Sequence, residues 1–327
     1  MTNARSTERG ALPGVFVAAV TALISGVSVF VNSYGVHAVR QPTVYTTAKN
    51  LVATIILATL ALMATGLRRS VGWHAGEHWV TPPRHRAVDG RGAGRQWTPW
   101  RGLALAYVGV VGGGAAFILF FDGLARTTAT PAAFLHDSLV IWVALLAMPL
   151  LRERLNSWNL AAIVLLVGGQ IAVLGGVGQL AMNTGDLLVL AATLLWAVEV
   201  VVAKQLLSDL SPGAVSLVRM GVGSAVLVVY LAVHGSLGAL FSFTAGQLGW
   251  VVLTGALLAG YVGTWMTALC RARAVDVTSV LVASTLVTAL LTTVAGTAPV
   301  PPEVLGLALI AVGVGLVVWF SRRRAVA

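Results

Sequence analysis

VLGLALIAVGVGLVVWF, Val304–Phe320, runs for seventeen residues without one charged side chain. It lacks the polar stripe that a soluble core helix shows to water. A membrane-spanning helix needs about 20 mostly apolar residues, and this run is nearly that long. Val15–Val31 and Leu139–Leu151 are blocks of the same kind. Of the 327 residues, 57% are hydrophobic and 10% charged, against roughly 25% charged in soluble domains. The medium this sequence suits is lipid.

Working outward, apolar blocks and breaker residues predict ten spans, at 13–32, 43–65, 101–121, 128–150, 157–176, 185–204, 212–233, 247–269, 276–295 and 303–320. Gln41-Pro42, Gly175-Gly176, Ser211-Pro212 and Pro299–Pro302 punctuate them. The fold class expected is all-α and polytopic. The first apolar block is long enough to stay in the membrane, so no cleavable signal peptide is expected.

One long connection, 66–100, is rich in Arg, Gly and Pro. Placing the N-terminus inside puts seventeen Lys and Arg residues on the cytoplasmic side and leaves only Arg40 and Arg126 outside. That asymmetry predicts both termini in the cytoplasm, which requires an even number of spans. The net charge of +10 is thereby explained by orientation and contact with anionic lipid, not by nucleic acid. The single cysteine, Cys270, excludes a disulfide framework. In the basic loop, His74, His78 and His85 with Glu77 have partial zinc-ligand spacing. Pro82, Pro83 and the neighbouring arginines oppose it, so neither a metal site nor a cofactor is expected.

The two halves echo each other. Thr43–Ala53, with Lys49, aligns with Gly213–Gly223, with Arg219, at an offset of 170. Leu165–Gly169 aligns with Leu309–Gly313 at an offset of 144, and 192–196 echoes Val20–Ile24. Five spans per half invert the second half relative to the first, the architecture of transporters whose site lies between repeats near the midplane.

Three segments carry a family resemblance: GLARTTATPAA (Gly123–Ala133), LRERL (Leu151–Leu155) and LVGG (Leu166–Gly169). With the basic residue in spans two and seven, the chain resembles the drug/metabolite transporter superfamily in its ten-helix EamA branch. The resemblance implies two five-helix repeats, 13–176 and 185–320, with the basic loop 66–100 inside the first. It implies export or exchange of metabolites, amino acids or drug-like solutes across a bacterial cytoplasmic membrane. The partners expected are a small-molecule substrate and membrane lipid, with monomer and homodimer both left open. The second half departs from the pattern: Gly296-Thr-Ala stands where a Glu-containing turn would follow span nine.

Ionisable groups inside spans are costly and mark pathways or pairs. Lys49, His136, Asp137, Glu199 and Arg219 are such groups. Glu199 and Arg219 lie roughly 9–10 Å from the same face on adjacent antiparallel spans, so they are placed to pair. Glu199 facing a cavity, to bind a cationic group or proton, is the other reading. Asp137, roughly 12 Å deep, lies within range of Lys49, roughly 9 Å deep. Either those two pair, or His136-Asp137 forms a solute or proton site, histidine being the side chain that titrates near neutral pH. Of the two, His136 is expected to face the cavity. The resemblance implies a cavity lined by spans one, three, four, six, eight and nine, with Asn32, Tyr107, Trp196, Tyr261, Trp265 and Thr285 as candidates. Thr278, Thr285 and Thr292 share one face of span nine; their hydroxyls serve either a solute or their own helix's carbonyls.

No Walker phosphate-binding loop, His-Glu-x-x-His or Gly-x-Ser-x-Gly occurs, so neither ATP use nor an intramembrane enzyme is expected. A channel or a non-transporting scaffold remains the alternative to a transporter.

Overall fold

Ten helices long and apolar enough to cross a membrane account for almost the whole computed structural model, which describes residues 11–71, 99–127, 129–176 and 182–326. No strand occurs among the described residues. The chain is a multi-pass membrane protein. Its spans are Gly14–Val39, Pro42–Ala64, Pro99–Leu124, Pro131–Leu151, Ser157–Leu174, Thr184–Leu206, Pro212–Val233, Ala245–Arg271, Ala274–Val294 and Pro301–Arg323. Several are longer than the sequence suggests. Span one continues past Asn32 to Val39, because the polar residues near its end stay helical. Arg5, Arg9, the loop histidines, Glu77 and the loop arginines from Arg84 on lie outside the described residues.

The ends obey local rules. Asn156, Asn183 and Thr244 each accept a hydrogen bond from the backbone N–H three residues on, starting spans five, six and eight. Gly175 at φ 82° ends span five.

Packing follows a two-fold pattern. Span one packs on spans eight and nine as span six packs on spans three and four. Spans two and eight pair as spans seven and three do. Equivalent residues touch on the axis itself: Thr54 Oγ1 and Ser224 Oγ, 170 apart in sequence, lie 3.0 Å from each other. A Cβ on Gly113 of span three would meet the Arg219 carbonyl at 2.0 Å, and one on Gly255 of span eight would meet the Lys49 carbonyl at 2.9 Å. Small residues at these crossings let backbones touch, which is how helices associate where no hydrophobic effect drives them together.

Two spans are not continuous. Span four consists of Ala129–Asp137 and Leu139–Leu151, broken at Ser138. Span nine consists of Ala274–Leu281 and Ser284–Val294, broken at Val282-Ala283. The breaks are equivalent at the offset of 144. Span three carries a π-helical stretch, Tyr107–Ala115, over its glycines. Neither the breaks nor the π stretch is expected from the sequence pattern, since no proline marks them.

Candidate functional site

The π stretch sets the first wall of the site. Widening of the turn brings Gly112 against span six, where a Cβ would meet the Glu199 carboxyl carbon at 2.2 Å. The Gly112 carbonyl accepts from Trp196 Nε1 at 2.9 Å, and Tyr107 donates to the Leu195 carbonyl at 3.2 Å. Two sequence candidates, Tyr107 and Trp196, are thus used to join span three to span six.

Glu199 and Arg219 pair. Arg219 donates from Nε to Oε1 at 2.5 Å and from Nη2 to Oε2 at 3.1 Å. Both side chains are buried, 8% and 4% exposed, and the guanidinium lies 5.5 Å from the Phe117 ring. A two-point fork fixes both groups.

Asp137 and Lys49, by contrast, have separate partners. Asp137 Oδ2 accepts from Gln170 Nε2 at 2.6 Å and from Thr285 Oγ1 at 3.0 Å. The Gln170 amide also donates to Thr285 at 2.9 Å. Lys49 Nζ donates to Asn32 Oδ1 at 3.0 Å. Of the two readings, the Asp137–Lys49 pair does not form: Asp137 bonds to spans five and nine, on the N-terminal side of the break at Ser138, while Lys49 bonds to span one. Asp137 borders two small clefts, each with a cavity volume of about 10 Å³, room for roughly one water molecule. Phe134 and Gln170 help line the first, His136 and Thr278 the second.

His136 stands in an aromatic wall, its ring 5.4 Å from Phe120 and 5.2 Å from Trp196. Its Nδ1 is buried without a hydrogen-bond partner among the described residues. Tyr261 stacks on Trp265, their ring centroids 6.1 Å apart. Asn32 holds both Lys49 and the Tyr45 hydroxyl, 3.1 Å away. The threonine face divides: Thr285 serves Asp137, whereas Thr278 and Thr292 bond carbonyls of their own helix. Trp158 and Trp319 are half exposed toward the surroundings, as interface anchors are.

Sequence reasoning missed Gln170, Tyr45, Thr254, which accepts from the Tyr45 hydroxyl at 2.9 Å, and the phenylalanines Phe117, Phe120 and Phe121, the last 4.9 Å from the Lys49 ammonium. Gln170 had a signal, a hydrogen-bonding side chain directly after Leu166–Gly169 inside a span. The phenylalanines had none, since apolar rings suit lipid and cavity alike. The LRERL turn acquires a physical role: the Glu153 carboxylate accepts from the backbone N–H groups of Ala274 and Val275 at 2.7 and 3.2 Å, capping span nine from the other half. Lys204 closes the neighbouring end of span eight by donating to the Leu269 and Ala272 carbonyls.

Comparison with known proteins follows the same outline. The sequence model of the EamA-like transporter family matches residues 12–175 and 183–319, consistent with two repeats. A protein of Methanothermobacter thermautotrophicus described as an uncharacterized transporter is 31% identical over 123 residues. That match spans 36% of this chain and 36% of the relative, about a third of its length. A solved crystal structure aligns over 95% of this chain and 99% of its own with a TM-score of 0.67 at 18% identity, a likeness of fold.

Proposed function

The chain belongs to the EamA-like transporter family, and on that premise we propose that it moves small metabolites, amino acids or drug-like solutes out of a bacterial cell across the cytoplasmic membrane. It does so as a secondary transporter or facilitator, by alternating access, and is not an enzyme. One observation carries this reading. Asp137 ends the first half of span four, Thr285 lies in the first turn of the second half of span nine, and a hydrogen bond of 3.0 Å joins them. Two interrupted helices from equivalent places in the two halves thus meet at one partly buried carboxylate. Interrupted helices at a repeat interface supply polar groups at membrane depth and hinges about which one half rocks against the other. The clefts beside Asp137 are where a polar group of the solute displaces Gln170 or Thr285.

Purified full-length protein in liposomes tests this. Saturable solute counterflow is expected, and Asp137→Asn is expected to cut it at least tenfold while leaving the melting temperature near that of the wild type. Ion currents in place of saturable flux would make the protein a channel, and neither activity would make it a scaffold. An Asp137→Asn protein that transports like the wild type refutes the role of the junction.

A further inference from the structure

We propose that Lys49 is the binding group for a carboxylate on the transported solute. The transport reading is needed only for calling the ligand a solute; the anion site is carried by span two itself. Lys49 is 6% exposed. Its ammonium has three N–H groups, and the neutral Oδ1 of Asn32 is its one hydrogen-bond acceptor among the described residues. The rings of Phe121 and Tyr45 lie 4.9 and 5.4 Å from the ammonium. No carboxylate pairs with it among the described residues. A buried cation without a counter-ion is among the costliest arrangements a membrane helix can hold.

The other half of the molecule holds its own control. At the offset of 170, Lys49 is equivalent to Arg219. Each has its carbonyl under a glycine of the neighbouring span, Gly255 and Gly113. Each lies over a ring of span three, Phe121 and Phe117, one turn apart. Arg219 has Glu199 as its counter-ion. The residue aligned with Glu199, 172 positions earlier, is Val27. One structural place therefore holds a neutralised cation in the second half and an unneutralised one in the first.

Two further polar residues share its sector of span two. Thr46 Oγ1 and the Asn50 side-chain Nδ2 and Oδ1 are buried with no hydrogen-bond partner among the described residues, in residues 1% and 0% exposed. Both residues lie within roughly 100° of Lys49 around the helix axis. An ammonium with free protons, an amide and a hydroxyl on one sector of a helix match the two oxygens of a carboxylate, and charge-assisted bonds of this kind are the strong ones. Phe121 would then face the body attached to that carboxylate.

The test uses purified full-length protein in lipid nanodiscs, with phenylacetate and its neutral amide, phenylacetamide, as probes. Phenylacetate is expected to raise the melting temperature of the wild type, through affinity roughly tenfold or more above that of the amide. Lys49→Met is expected to melt at or above the wild type without a probe and to ignore phenylacetate. Lys49→Arg is expected to restore the response. The proposal falls if phenylacetate leaves the wild type unchanged, if phenylacetamide acts equally, or if Lys49→Met still responds. It also falls if Lys49→Met melts well below the wild type or fails to fold, since Lys49 is then a packing charge. Stabilisation through Lys49 with no solute carried would refute transport and keep the site. Saturable flux unaffected by Lys49→Met would keep transport and refute the site.

Discussion

At the scale of single residues, the two buried cations behave differently because one has a carboxylate and the other does not. Removing one partner of the Glu199–Arg219 fork leaves a lone charge in the interior. Glu199→Gln and Arg219→Gln are each expected to destabilise by about 3–5 kcal/mol, as breaking a buried pair does. The doubly apolar variant Glu199→Leu/Arg219→Met is expected to recover much of that loss. Thermal denaturation in detergent measures all three; a double variant as unstable as the sum of the singles would show that the fork is not the link between them. The antiparallel neighbourhood and equal depth of these residues were legible in the sequence. The partners of Asp137 were not, because helix depth says nothing about azimuth, and a broken helix resets azimuth at the break.

At the scale of elements, the π stretch of span three is the least foreseeable piece. Its glycines look like ordinary helix-packing residues, yet Gly112 is required by Glu199. Gly112→Ala would force a Cβ onto the Glu199 carboxyl at 2.2 Å, and overpacking of this kind costs about 1–3 kcal/mol. Gly168→Ala, where a Cβ would meet nothing within 4 Å, is expected to leave the melting temperature unchanged or slightly higher. Equal effects of the two substitutions would remove Gly112 from the account of the ion pair. The Leu151–Leu155 turn shows the opposite case. The sequence marks it by family likeness, and the structure supplies the reason: a carboxylate from one half caps a helix of the other. The aligned position in the second half is Thr297, so that the reciprocal cap has no carboxylate.

At the scale of the whole molecule, the breaks divide the bundle unequally. All eight residues of Ala274–Leu281 are buried, whereas Ser284 is the one buried residue of Ser284–Val294. The bundle is therefore tight on the face where span nine begins, which Glu153 and Lys204 tie together, and looser beyond the break. On a Cys270→Ser background, Thr292→Cys is expected to react quickly with a membrane-impermeant thiol reagent. Thr278→Cys is expected to react slowly, and faster once the Glu153 cap is removed by Glu153→Ala. Equal rates at the two positions without that change would contradict the closed face.

By itself the sequence determined the solvent, the number of spans, the doubling of the chain and that Lys49, Glu199 and Arg219 are charged groups within spans. Each follows from composition and period, which act along one dimension. Only the tertiary structure decided that spans four and nine break, that Asp137 joins Gln170 and Thr285, and that Lys49 is left beside Asn32 and Phe121. Those outcomes depend on azimuth and on neighbours from the other repeat, and neither is written in the order of residues along one helix.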